Sequence, residues 1–114
     1  MSQPAMDVNA FAEMKELMGD AFKDVISMCL QSLPAQLNDI EAAIKNQNAE
    51  TIFNMSHKMK SSCGSIGAFG LAEKAEAIEV IGRNGSTEVP AQLFVELRDA
   101  TNQVVSILDA ELKD

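Results

Sequence analysis

Apolar side chains recur every three or four residues along most of this chain. The clearest stripe is Phe22, Ile26, Cys29, Leu33, Leu37, Ile40 and Ile44, which fits the 3.6-residue period of an amphipathic helix. Pro34 interrupts its composition but not its phase, so the pattern predicts one helix that continues past the proline with a kink. Asp20 stands where an N-cap would open that helix, and Lys45-Asn46-Gln47-Asn48 closes it. Before it, Phe11, Met14, Leu17 and Met18 outline a short first helix, capped by Asp7 or Asn9 and stopped by Gly19. A third helix is expected from about Ala49 to Ile66, with Ile52, Met55, Met59, Cys63 and Ile66 inward and Gly67 as its stop. A fourth begins near residues 68–70, turns Leu71, Ala75, Ile78 and Ile81 inward, and ends in Gly82-Arg83-Asn84-Gly85-Ser86. Thr87 can cap a last helix, with Pro90 in its first turn and Leu93 or Phe94, Leu97, Thr101, Val104, Leu108 and Leu112 along one face.

No alternating strand pattern, internal repeat or long linker is evident. The expectation is an all-α fold: an antiparallel four-helix bundle with a short additional N-terminal helix over one end. Residues 1–7 read as a flexible lead and residues 8–114 as one bundle domain.

Composition narrows the partners. The chain has 114 residues, 46% of them hydrophobic, which is enough for one modest core. Its formal net charge of −8 argues against nucleic acid and anionic membranes, which both attract positive fields. No apolar run approaches the ~20 residues needed to span a bilayer, and Met1–Asp7 lacks the regions of a signal peptide. A cytoplasmic location follows as the default. Cys29 and Cys63 both fall in apolar helical patterns and read as buried free thiols. The methionines Met14, Met18, Met28, Met55 and Met59 read as core filler. A bundle that closes one core without a second apolar face is expected to be monomeric.

One histidine stands out against this background. His57 is the chain's sole imidazole. At about 100° per residue it lies opposite Met55, Met59 and Cys63, beside Lys60, Ser61 and Gly64. Unperturbed imidazole, with a pKa of about 6.5, is largely neutral at cytoplasmic pH and is a competent nitrogen nucleophile. Lys60, one turn on, can meet phosphoryl oxygens as a point charge, and Ser61 and Gly64 leave room for an approaching surface. Small neighbours suit in-line phosphoryl transfer, which needs access along the N–P axis. Other chemistry lacks its parts. The sequence has no metal-ligand spacing and no Gly-rich nucleotide loop, and Ser61, Ser62 and Ser65 have no base–orienter pair.

The segment His57-Lys58-Met59-Lys60-Ser61-Ser62-Cys63-Gly64-Ser65-Ile66-Gly67-Ala68 resembles the histidine-containing phosphotransfer (HPt) domain family of multistep two-component phosphorelays. That family's signature reads His-x-Leu-Lys-Gly-Ser-x-x-x-x-Gly-Ala, followed by Leu-x-x-x-Cys-x-x-Leu-Glu. His57, Lys60, Ser62, Gly67, Ala68, Leu71 and Glu79 match it. Met59 and Ile78 replace leucines at similar volume, Ala75 replaces the cysteine, and Ser61 stands where glycine is commonest. The match covers about residues 52–85.

The resemblance implies phosphorylation of His57 on its outer ring nitrogen, with Lys60 as phosphate partner and Ser61 as docking space. Phe53 is a candidate for an apolar docking patch or for inward packing, and Gly64 belongs to the same docking face. Arg83 is a weaker candidate at the docking rim, its plainer role being a cation at a helix C-terminus. Gln31 and Gln36 are possible flanking residues. The implied partners are receiver domains of hybrid histidine kinases and response regulators. The receiver brings the acidic pocket and Mg²⁺, while this chain needs no cofactor and has no autokinase activity. The alternative is a non-phosphorylated helical adaptor that binds through the same face. Met1 and the short polar lead favour a free-standing protein over an excised domain.

Overall fold

The computed structural model describes residues 3–113. Five helices follow in order: α1 (Val8–Met18), α2 (Ala21–Lys45), α3 (Ala49–Gly64), α4 (Phe69–Arg83) and α5 (Ala91–Lys113). Helices α2 to α5 form the bundle, each packing on its two neighbours in the ring α2–α3–α4–α5, while α1 packs on α2. Helix lengths explain the need for α1. At ~1.5 Å per residue, the 25-residue α2 and 23-residue α5 outreach the 16-residue α3 and 15-residue α4 by ~10–15 Å. Helix α1 folds back over that overhang. Phe11 meets Phe22 edge-on at 5.1 Å between ring centroids, and Lys15 pairs with Glu111 of α5 at 2.7 Å.

The core follows the apolar stripes. Phe22, Ile26 and Leu33 of α2 close against Ile52, Met59 and Cys63 of α3, Leu71 and Ile78 of α4, and Leu97, Val104 and Leu108 of α5. Leu37, Ile44 and Ile81 sit at the margins, half-buried. Helix α2 runs unbroken through Pro34, as its phase predicts. Two apolar expectations fail. Leu17 is 82% exposed because it lies about 100° around α1 from Met18, off the Phe11–Met14–Met18 face. Met28 is 68% exposed, about as far off the Phe22–Cys29–Leu33 stripe, and is not core filler.

The caps differ from expectation at two helices. Asp7 caps α1 as predicted, its Oδ1 accepting from the backbone N–H of Asn9 at 3.1 Å and Ala10 at 3.0 Å. Asp20 makes no such bond, because its own backbone is already helical (φ −64°, ψ −27°). The cap of α3 is Asn48, whose Oδ1 accepts from Thr51. Thr87 lies outside α5, which starts at Ala91 with the Pro90 carbonyl accepting from Leu93 and Phe94.

Residues 3–7 are a further correction, for they are not a loose lead. Ala5 and Met6 are buried, Asp7 donates its N–H to the Gly67 carbonyl at 2.9 Å, and Leu71 donates to the Ala5 carbonyl at 3.2 Å. The second bond occupies an N–H in the first turn of α4, a helix without a side-chain cap. Residues 1–2 lie outside the described residues. Among the described residues, no helix is long and apolar enough to cross a membrane.

Candidate functional site

Helices α3 and α4 make the most extensive contact in the bundle, and the site lies on the outer edge of that contact. Their close approach depends on Gly82. A Cβ there would sit 2.7 Å from the Phe53 nitrogen and 2.9 Å from the Ala49 carbonyl, so the two backbones touch. With Ala75 and Gly82 small, the carboxylate between them in the same buried row, Glu79, reaches across to α3.

The reach ends on His57. Nδ1 of the imidazole lies 3.1 Å from Glu79 Oε2. A carboxylate only accepts hydrogen bonds, so Nδ1 carries the hydrogen and, in the neutral ring, Nε2 holds the free lone pair. The His57 side chain is 54% exposed, whereas Glu79 is 2% exposed. The ring is thus anchored on its protein side and accessible on the other. One turn earlier, the Phe53 ring stacks on the imidazole with centroids 5.9 Å apart and planes 19° apart.

Glu79 gathers two more donors. Lys60 Nζ lies 2.8 Å from Oε1, and Arg83 Nη2 lies 3.2 Å from Oε2. Burial pushes the Glu79 carboxyl up. The hydrogen bonds from Lys60, His57 and Arg83, with the Lys60 charge, outweigh it and hold the group below the ordinary carboxylate range. Lys60 is also 3.8 Å from Glu76 Oε1, so its ammonium already bridges two carboxylates.

The structure therefore brings together His57, Lys60, Arg83 and Phe53, all named from sequence, around Glu79, to which sequence reasoning gave no role. The available signal was an acidic residue in the inward row Ala75–Glu79–Gly82. Arg83 reaches the site through Glu79 as well as standing in the last turn of α4. Phe53 is half-buried against His57. Ser61 and Gly64 are both exposed, and a Cβ on Gly64 would meet nothing within 4 Å. Gly64 thus fills no packing need among the described residues. Gln31 is exposed, and Gln36 is half-buried with its Oε1 unpartnered. Among the described residues, no group of three or more His, Cys, Asp or Glu side chains could hold a metal ion.

A helical bundle that holds one half-exposed imidazole by its inner nitrogen has the layout of a phosphotransfer domain, and comparison with known proteins agrees. The Hpt domain model matches residues 24–107. The signal transduction histidine-protein kinase BarA of Escherichia coli (strain K12) is 30% identical over 86 residues, as is BarA of Shigella flexneri. That match takes in 75% of this chain but only 9% of the length of those relatives. The crystal structure of histidine-containing phosphotransfer protein B (HptB) from Pseudomonas aeruginosa PAO1 superposes with a TM-score of 0.87 at 20% identity, covering 98% of this chain and 97% of that one. The HPT domain of a Shewanella Hpt sensor hybrid histidine kinase gives 0.79 at 17% identity, covering 96% and 94%. The chain belongs to the Hpt domain family, the histidine-containing phosphotransfer domains of two-component phosphorelays.

Proposed function

We propose that this domain carries a phosphoryl group on His57 Nε2 between receiver-domain aspartates. The observation that carries the reading is the Nδ1–Glu79 contact beneath a half-exposed ring, which directs the lone pair outward. The Nε2 lone pair attacks the phosphorus of an aspartyl phosphate. The N–P bond forms as the P–O bond to the acyl oxygen breaks, releasing the aspartate carboxylate. The ring keeps its Nδ1 hydrogen and becomes cationic, with the buried Glu79 carboxylate opposite the new charge. Passing the group on reverses these steps at a second aspartate. Lys60 follows the phosphoryl oxygens by turning from Glu76 and Glu79, and Arg83 keeps Glu79 neutralised meanwhile. Ser61 and Gly64 leave the docking face low. The receiver supplies its acidic pocket and Mg²⁺, and this chain needs no cofactor of its own. The exchange takes place in the cytoplasm, where Cys29 and Cys63 stay reduced.

Incubation with a phosphorylated receiver domain tests the reading. Acid-labile, base-stable phosphate should appear on the wild-type chain and vanish in His57→Gln. With ATP and Mg²⁺ alone, no label should appear. His57→Gln should remain folded, losing no more than about 1–3 kcal/mol, since it alters one of three donors to the buried Glu79 and leaves the core intact. Receiver binding without any label would instead identify a docking adaptor.

A further inference from the structure

Whether Phe53 belongs to the docking patch or packs inward is open from sequence. The structure points to a third role, that of a second anchor for the imidazole. We infer that Phe53 is a positioning residue: its ring fixes the plane of the His57 imidazole, which the Glu79 hydrogen bond alone leaves free to tilt. This rests on the proposal that His57 Nε2 is the phosphoryl acceptor.

The ring is joined covalently at Cγ, and Glu79 Oε2 holds Nδ1 through one hydrogen bond. Such a bond tolerates appreciable misalignment, so libration about the Cβ–Cγ bond still swings the Nε2 lone pair through an arc. Attack on phosphorus requires that lone pair to lie along the N–P axis, so tilting of the ring costs rate. A flat partner removes the tilt. Phe53 lies within offset-stacking range of the imidazole, nearly parallel to it at 19°, and a point and a plane together define one ring orientation.

The row on α3 is asymmetric in the way this role needs. Phe53, His57 and Ser61 follow each other at four-residue spacing along one face. The side before the imidazole holds a rigid aromatic, and the side after it holds a small exposed serine. Phe53 is itself held. It is half-buried, and its backbone stands where the α4 backbone at Gly82 presses against α3. A residue seated at the helix crossing and stacked on the nucleophile suits positioning better than mobile contact with a partner.

A phosphoryl donor with no docking surface separates the two roles. Phosphoramidate is such a donor: Nε2 attacks its phosphorus, the P–N bond breaks and ammonia leaves. Phe53→Leu keeps apolar bulk but loses the flat face, while Phe53→Tyr keeps the face. Labelling of Phe53→Leu by phosphoramidate should slow by about three- to tenfold, the range expected for losing one stacked aromatic contact, and Phe53→Tyr should restore the rate. The ¹⁵N shifts of the imidazole should show a smaller Nδ1–H population in Phe53→Leu and the wild-type population in Phe53→Tyr. Unchanged labelling by phosphoramidate together with an unchanged tautomer ratio overturns the inference, even if the receiver concentration needed for half-maximal transfer rises. Should the wild type accept phosphate from neither donor, the carrier reading fails. The tautomer measurement then still decides whether Phe53 orients the ring.

Discussion

A carboxylate that is 2% exposed and still ionised at neutral pH must be held by its neighbours, and Glu79 has three. Lys60 and Arg83 balance its charge from the exposed side, and His57 contributes one N–H. Glu79→Gln should therefore weaken folding and slow phosphoryl uptake together. Both cations can turn to water, so the stability loss should be about 1–2 kcal/mol rather than the larger cost of stranding a buried charge. The loss should depend on pH with a definite sign. The folded pKa lies below the unfolded value of about 4.3. On acidification the unfolded chain binds this proton first, so the contribution is full above that range and disappears as pH falls through the folded pKa. Urea unfolding of wild type and Glu79→Gln between pH 7 and pH 3 should show a gap that closes only in acid. A gap constant down to pH 3 would mean that Glu79 acts through packing alone. At this scale the sequence was informative about faces and silent about reach. Helical phase put His57, Lys60 and Ser61 together on the outside. It could not tell that an acid 22 residues later would cross to the same imidazole, because that depends on how closely Gly82 lets two helices approach.

Helices were legible because their stripes are long and their apolar faces must be buried. The five predicted helices all form, and Pro34 leaves α2 continuous. Their ends were less legible, since a cap is one side chain competing with any nearby carbonyl or N–H. Asp20 lost its role to a backbone already helical, and α4 is served instead by the chain's own N-terminal segment. That segment lacks the periodicity that makes a helix visible, so its docking could not be read. Gly70 is the element that permits it: a Cβ there would collide with the Pro4 carbonyl, and would stand 2.8 Å from the Ala5 Cα. Gly70→Ala should displace residues 3–7 from α4 and cost about 1–3 kcal/mol, the usual range for overpacking. Deleting residues 1–6 removes the same contacts, so the two changes together should cost little more than either alone. Fully additive losses in thermal melts would show that Gly70 is needed for some other contact. Hydrogen exchange gives a second reading, because the Leu71 amide should lose protection in both variants.

For the molecule as a whole, the two cysteines report on how the bundle opens. Cys63 is fully buried and Cys29 nearly so, on the facing helices α3 and α2. Burial pushes the Cys63 thiol up to about 12, with Cys29 adding to the rise, and burial raises Cys29 as well. A thiol in that state reacts only after it is exposed and deprotonated, so alkylation at neutral pH has to wait for an opening that separates the helices. Both thiols should then be protected about 10³-fold or more relative to the chain in urea, in keeping with a stability of several kcal/mol. Cys63 should track global unfolding, whereas faster labelling of Cys29 would reveal that α1 and the start of α2 open separately. The same closed core bears on assembly. The exposed large apolar side chains Val8, Leu17, Met28, Phe69 and Val80 are spread over α1, α2 and α4; Val8 and Leu17 lie about half a turn apart around α1, and Phe69 and Val80 lie about three turns apart along α4. Sedimentation should therefore give one monomeric species across concentration, and the alkylation rate should not depend on protein concentration. A dimer that slows labelling as concentration rises would mean that these side chains are covered by a second copy, contrary to the monomer proposed here.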